Sequence, residues 1–379
     1  MTTRRREPTP EELQLLAAYS DTELNRMIGA ARDTIRRWRR DYGIPNPSKT
    51  KQQSAPPPQA PPGYAEPNQS VRQEGQHSTA SNAFRYSPQA HPSYPGPFLA
   101  LPRAREKESA VLVMSDIHYG KRTASYSTAI AQERLRRLIP KLERIGSILD
   151  SSYHIDELVV CILGDVNDGS EIFPTQAHYQ EISDPLRQAW EFASFLAEWL
   201  RSVQRTFPSI RVEAVAGNHG RAGKRVHEAA NWDLATYHFL RLHLEGSGIH
   251  VHYAGRDGED PFLRFVSIRG HRFLLYHGHA IRMYQTIAWY GLTQRMLRWQ
   301  TVFGPFAALL CGHFHTFGEM DINGTRILLT GTLVTDDQWT VQTLGLAAAN
   351  RWHLFGVGDR RPITWRFDLE LVESKGAPP

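Results

Sequence analysis

Cysteine is nearly absent: 379 residues contain two, Cys161 and Cys311, each inside an apolar, strand-like run. That excludes a disulfide scaffold and a thiolate metal site, and predicts two reduced core cysteines. Long apolar runs are also missing. None approaches the roughly 18–20 residues of a membrane helix. The opening MTTRRREPTPEE is charged and lacks the apolar centre of a secretory signal, so the expected location is the cytoplasm. No internal repeat is visible. Residues 46–104, rich in Pro, Gln, Ser, Ala and Gly ("SAPPPQAPPGYAEPNQS"), lack the apolar density that repays folding entropy, and read as a disordered tether. His77 and His91 lie there and belong to no site.

Hydrophobic residues nevertheless make up 41% of the chain, enough for one large α/β domain or two smaller ones. The net charge of +5 is concentrated. Residues 32–51 hold seven basic residues (Arg32, Arg36, Arg37, Arg39, Arg40, Lys49, Lys51) against Asp33 and Asp41, a local surplus of +5. Such a concentration suggests docking on a polyanion.

Residues 1–45 read as a small all-α module. Thr9-Pro10-Glu11-Glu12 signals a helix start, with Thr9 as cap, Pro10 at the first helical position and Glu12 closing a capping box. Ser20 and Glu23 repeat the capping pattern, Gly29 interrupts it, and "ARDTIRRWRRDYGIP" reads as a third helix ended by Gly43 and Pro45. Leu13, Leu16, Leu24, Ile28, Ile35 and Trp38 are spaced to share a core. "DTELNRMIGAARDTIRRWRRDYGIP" resembles the helix-turn-helix modules of bacterial and phage proteins, although Ala31 stands where such modules often carry a Ser cap. The resemblance implies DNA contacts by Arg32, Arg36, Arg37, Arg39 and Arg40, with Asp33 among them. The alternative is a solvated basic helix with a scaffolding role.

Residues 105–375 alternate strand-like and helix-like patterns. "AVLVMSD" and "ELVVCILGD" read as buried strands joined by a helix with the stripe Leu135, Leu138, Leu142, Ile145 and Leu149, giving a parallel β-α-β unit. Pro140 inside that stripe predicts a kink or a restart. "RVEAVAGN" is a third strand. "FLRFVSI-RG-HRFLLYHG" and "GEMDI-NG-TRILLTG" read as hairpins, the second through a tight Asn323-Gly324 turn. The expected fold is α/β, with two packed mixed sheets flanked by helices.

Asp116, His118, Asp165, Asp168, Asn218, His219, His313 and His315 all fall just past strand-like runs. Ligands gather outside the carboxyl ends of strands in such sheets. So many ionisable groups in one crevice are costly unless compensated, and a metal compensates them. Carboxylate, amide oxygen and imidazole without thiolate suit Mn, Fe, Zn, Co or Ni, Mn being the expected occupant, better than Ca or Mg. The supply exceeds one tetrahedral site and fits two divalent ions sharing a carboxylate, the arrangement used for in-line displacement at phosphorus.

The ordered series "DIH", "GDVND", "GNH", "HGH", "GHFH" resembles the calcineurin-like metallophosphoesterase superfamily, whose members include protein phosphatases, cyclic-nucleotide phosphodiesterases and nuclease subunits of DNA-repair exonucleases. The likeness covers nearly all of residues 105–375 and implies a four-layer sandwich. It assigns Asp116, His118 and His315 to one metal, Asp165 to the bridge, and Asn218, His277 and His313 to the second metal. It makes His219 the general acid and Asp168 its orienting carboxylate. One departure is Gly220, where the family often has Asp or Glu.

"RAGKR" adds Arg221, Lys224 and Arg225 beside the acid, either substrate-phosphate contacts or a basic turn leading into a helix at 225–245. His279 reads as a neighbour of the ligands. His154, His178, His227, His238, His243, His250, His252, His271 and His353 match no motif and are expected on the surface or in the core. The expected activity is a DNA-directed phosphodiesterase or nuclease of phage or prophage type. The alternatives are a phosphomonoesterase or nucleotide phosphatase localised by the DNA-binding module, and a non-catalytic DNA-binding regulator.

Overall fold

The computed structural model describes residues 8–46 except 20, 22–23 and 26–30, and residues 106–372 except 174–175, 257, 285–287 and 338–347. All of the tether at 46–104 but Asn46, the second capping pattern at Ser20 and Glu23, and Ile28 and Gly29 lie outside the described residues, as does the Arg32 side chain. The chain divides into two compact units, Met1–Tyr94 and Pro95–Pro379.

In the first unit, helix α1 (Pro10–Ala18) starts at the expected capping box. Thr9 Oγ1 accepts the Glu12 N–H at 3.2 Å, and Glu12 Oε2 accepts the Thr9 N–H at 2.9 Å. Helix α2 (Arg32–Tyr42) begins at Ala31 without a side-chain cap and ends on left-handed Gly43. Leu16, Leu24, Ile35 and Trp38 form the core, with Leu13 packed against it. Arg39 corrects the sequence reading. It is only 7% exposed, and its guanidinium donates to Asp21 Oδ1 (2.6 Å) and to the carbonyls of Leu16 (2.6 Å), Pro45 (2.8 Å) and Tyr19 (2.5 Å). A guanidinium spent on its own fold is not available to DNA; the spacing put all five arginines on one helix without showing which one the core recruits.

The second unit opens with β1 (Glu106–Met114), helix α3 (Thr128–Asp150) and β2 (Tyr153–Ile162), then helix α4 (Pro185–Val203), β3 (Ile210–Ala214), helix α5 (Trp232–His243) and β4 (His250–Tyr253). Strands β5 (Leu263–Ile268) and β6 (His271–Tyr276) precede helix α6 (Trp289–Phe303). Then follow β7 (Ala308–Cys311), β8 (Gly318–Ile322), β9 (Thr325–Leu329), β10 (Arg351–Gly358) and β11 (Arg366–Glu370). One sheet has the order β11-β10-β1-β2-β3-β4, the other β5-β6-β7-β9-β8. Strands β1 to β4 run parallel, as do β6, β7 and β9, and the remaining neighbours are antiparallel. Both expected hairpins form; Asn323 (φ 53°) and Gly324 (φ 80°) make the tight turn.

The period of two along each strand sorts side chains between layers. Val111, Val113, Val159, Cys161 and Leu163 meet Phe273, Leu275, Leu310 and Leu328 between the sheets. Ala110, Leu112, Leu158 and Val160 belong to a second core that includes Leu135 and Leu138 of α3 and Phe192, Leu196 and Leu200 of α4. The result is the expected helix–sheet–sheet–helix sandwich. Cys161 and Cys311 are buried, unpaired and assigned to different core layers. Two expectations are corrected. Helix α3 does not restart at Pro140 but continues from Thr128 to Asp150; Pro140 and Arg136 are both exposed, where a carbonyl without its helical partner can meet water. The helix expected at 225–245 starts only at Trp232, where Asn231 Oδ1 accepts the Asp233 N–H at 2.9 Å. No helix among the described residues is long and apolar enough to cross a membrane.

Candidate metal centre and active site

Five strands deliver the site residues from their carboxyl ends. Asp116 and His118 follow β1, Asp165 and Asp168 follow β2, and Asn218 and His219 follow β3. From the second sheet, His277 follows β6, and His313 and His315 follow β7. All nine sequence-predicted metal and catalytic residues are brought together by the contacts below. Asp116, His118, Asp165, His313 and His315 have φ between 49° and 69°, a region that side-chain-bearing residues seldom occupy. Strain at five neighbouring positions marks a functional site.

Three groups could each hold an ion: Asp116, His118 and His315; His118, Asp165 and His219; and Asp165, His277 and His313. His118 belongs to the first and second, and Asp165 to the second and third, so the three groups run together through these two residues. His118 Nδ1 stands 3.3 Å from Asp168 Oδ1, which fixes its proton there and leaves a lone pair on Nε2. That Nε2 faces His315 Nε2 at 3.2 Å and Asp116 Oδ1 at 3.8 Å, and His315 Nε2 is 3.3 Å from the same oxygen. Asp116 Oδ1 is buried and accepts no hydrogen bond. Two imidazole nitrogens converging on a buried carboxylate oxygen fit a cation.

The second cluster repeats this logic. His277 Nδ1 donates to the Leu163 carbonyl at 2.7 Å, while its Nε2 faces Asn218 Oδ1 at 2.9 Å and Asp165 Oδ2 at 3.1 Å. Burial alone would push His277 down, but the Asp165 charge lifts it to about 9. A proton and a divalent cation are therefore alternative occupants of the same space. Burial holds the His313 imidazole well below its ordinary range, with His277 adding to the effect, so it stays neutral as a ligand must. Burial raises the Asp165 carboxyl, but His277 and His219 outweigh it and hold the group well below the usual carboxylate range.

His219 Nδ1 lies 3.4 Å from Asp168 Oδ1, and its backbone N–H donates to Asp165 Oδ1 at 2.8 Å. Burial opposes the imidazolium, yet Asp165 and Asp168 raise the His219 value. Asp168 is itself held down against burial by hydrogen bonds to His118 and His219. Arg221 Nε donates to the Asn218 carbonyl at 3.0 Å, so it is tied to the ligand loop, whereas Lys224 and Arg225 are exposed. His279 is partly buried, its ring 4.4 Å from Phe262, and burial followed by His277 pushes it down to about 4. His353, expected on the surface or in the core, is buried, and its Nε2 donates to the Leu329 carbonyl (2.9 Å).

Sequence reasoning missed Asp233. It is fully buried, and its carboxylate accepts the backbone N–H groups of Asp165 (2.8 Å), Gly217 (2.8 Å) and Asn167 (3.1 Å) and the Asn167 amide (3.2 Å). Burial and the Asp165 charge push it up to about 6. One side chain thus pins the loops after β2 and β3 to the start of α5. Gly217 lets those loops touch, since a Cβ there would collide with Asp165 Oδ1. Gly220 is explained likewise: a Cβ would meet Asn231 Oδ1 at 2.5 Å and Asp233 Oδ1 at 3.0 Å. An acid in the first turn of a helix is so ordinary in sequence that nothing distinguished Asp233. Lys121, paired with Asp337 at 3.2 Å, was also unforeseen.

No curated protein sequence matches the chain. Among solved structures it is similar to a Vps29 single mutant from Entamoeba histolytica (14% identity, 69% of this chain and 99% of that one, TM-score 0.33). A novel archaeal phosphodiesterase (12%, 69% and 99%, 0.31) and a predicted phosphoesterase from Streptococcus pneumoniae (13%, 69% and 98%, 0.26) are similar in the same degree. The model of the family described as calcineurin-like phosphoesterase matches residues 109–317, more than half of the sequence. The chain belongs to the calcineurin-like phosphoesterase family and is a metal-dependent phosphoesterase.

Proposed function

We propose that the chain is a cytoplasmic two-metal phosphodiesterase directed to DNA, a nuclease rather than a monoesterase. The observation that carries the two-ion reading is that the Asp116–His118–His315 cluster and the Asp165–His277–His313 cluster are linked through a third, in which His118 of the first meets Asp165 of the second. Asp116, His118 and His315 would hold one ion, Asn218, His277 and His313 the other, and Asp165 both. Divalent ions, Mn foremost, supply polarisation of the phosphoryl oxygens and activation of a water nucleophile. The protein supplies the rest. Asp168 holds Nδ1 of His219, which leaves Nε2–H to protonate the departing oxygen. Arg221 and Lys224 stand on the loop after that acid, where the flanking phosphates of a polymer would pass.

Direction to DNA is supported by α2, where Arg36 and Arg40 are exposed. Arg36 stands 3.4 Å from Asp33 and 3.6 Å from Asp21, and Arg37 stands 4.0 Å from Asp41. The Arg36–Asp33 pair is exposed on both sides, and such a pair is worth little and exchanges readily for phosphate. A DNA-binding module on the same chain raises the local concentration of phosphodiester at the site. The test compares bis-p-nitrophenyl phosphate, p-nitrophenyl phosphate, and single- and double-stranded DNA with Mn²⁺ added. Turnover of the small diester and of DNA is expected. Turnover of the monoester alone would make the chain a phosphatase, and turnover of none would make it a regulator.

A further inference from the structure

Phe173 has no place in the hydrophobic core. It is 39% exposed, while its neighbour Ile172 is buried. Its ring centroid nevertheless lies 4.6 Å from that of His219, inclined by 43°. The placement is held by Gln176, which is buried. Gln176 Oε1 accepts the backbone N–H groups of Ile172 at 2.9 Å and Phe173 at 3.1 Å. Its Nε2 donates to the Asp168 carbonyl and lies 3.4 Å from His219 Nδ1. One amide therefore ties the backbone of Phe173 to both members of the proton-donating pair. An exposed aromatic face fixed beside a catalytic imidazole is a poor use of apolar surface unless something covers it.

We propose that Phe173 is a stacking platform for the leaving group, so that the site selects phosphoesters whose departing alcohol carries a planar base, that is, nucleosides and nucleotides. The inference rests on the reading of His219 as the proton donor. An oxygen within hydrogen-bond distance of His219 Nε2 brings the group it carries alongside that imidazole, where the Phe173 face begins. Every nucleobase has a π-face, so such a platform favours bases over bare sugars without choosing among bases.

The experiment uses the full chain with Mn²⁺ and compares thymidylyl-thymidine with its two analogues that lack one base, on the 5′ or the 3′ side. Removing the leaving-side base should lower wild-type kcat/KM by roughly fivefold to a hundredfold, the usual range for one stacked base. Phe173→Ala should collapse that ratio towards one, and Phe173→Trp should keep it. Titration calorimetry gives a second readout: the preference for thymidine 5′-monophosphate over deoxyribose 5-phosphate should shrink in Phe173→Ala. A wild-type enzyme indifferent to both bases would overturn the platform, as would equal losses on all substrates in Phe173→Ala. If only monoesters are hydrolysed, the diester reading fails, and the two monoesters decide the platform by the same ratio.

Discussion

Asp233 Oδ2 accepts the backbone N–H of Asp165 at 2.8 Å, so a residue of α5 sets the height at which the central carboxylate of the metal centre stands. The same oxygen accepts the Gly217 N–H at 2.8 Å, which locks the neighbouring loop to it. Asp233→Ala leaves buried donors unsatisfied, each costing about 1–3 kcal/mol. A stability loss of about 2–5 kcal/mol is expected in urea unfolding, together with a lower metal content in the folded variant. A variant as stable and as metal-loaded as wild type would show that Asp233 positions nothing.

Asp165→Ala should abolish hydrolysis and reduce bound metal, because two cations would then face each other without the shared carboxylate. Metal analysis by mass spectrometry, beside an assay on bis-p-nitrophenyl phosphate, checks both. Full metal with retained turnover would remove Asp165 from the centre.

His219→Ala should separate metal binding from chemistry. Its imidazole lies within reach of Asp165 and His118 in one of the three clusters, so geometry alone also admits it as a ligand. As the proton donor it should cost roughly 10²–10⁴ in rate with metal content unchanged. The loss should be smaller with a p-nitrophenolate leaving group, which needs little protonation. A drop in bound metal would reassign it as a ligand.

Deleting the residues before about position 100 should spare turnover of small phosphodiesters, since the whole ligand set lies in the second unit. DNA affinity should fall and its salt dependence should flatten. The slope of log K against log salt should shrink by about 0.9 for each phosphate that the truncated chain no longer neutralises. Arg36→Ala with Arg37→Ala should reproduce part of this in fluorescence anisotropy at several salt concentrations. Arg39→Ala should act otherwise, lowering the stability of the first unit, because it breaks four hydrogen bonds to the module itself. Unchanged affinity and slope in the truncated chain would leave the module as a scaffold.

The metal centre was legible because it is written at strand ends. Apolar runs that stop in Asp, His or Asn announce both the strand and its candidate ligand; eight of the residues the structure brings together were read from such breaks, and His277 from the family resemblance. The hairpin turns were legible for a local reason, the left-handed conformation that Asn323-Gly324 adopts. What the sequence hid depends on contacts distant along the chain. Asp233 looks like any first-turn acid, Arg39 like its four neighbours on a basic helix, and β10 pairs with β1 across more than two hundred residues. That α3 continues past Pro140 rather than restarting depends on exposure, which only the packed helix reveals.

The most direct measurement is hydrolysis of bis-p-nitrophenyl phosphate by chelator-stripped protein titrated with Mn²⁺. Activity should be absent without metal and should rise until two ions are bound per chain. Full activity in the stripped protein, or saturation at a single ion, would contradict a centre built around a shared Asp165.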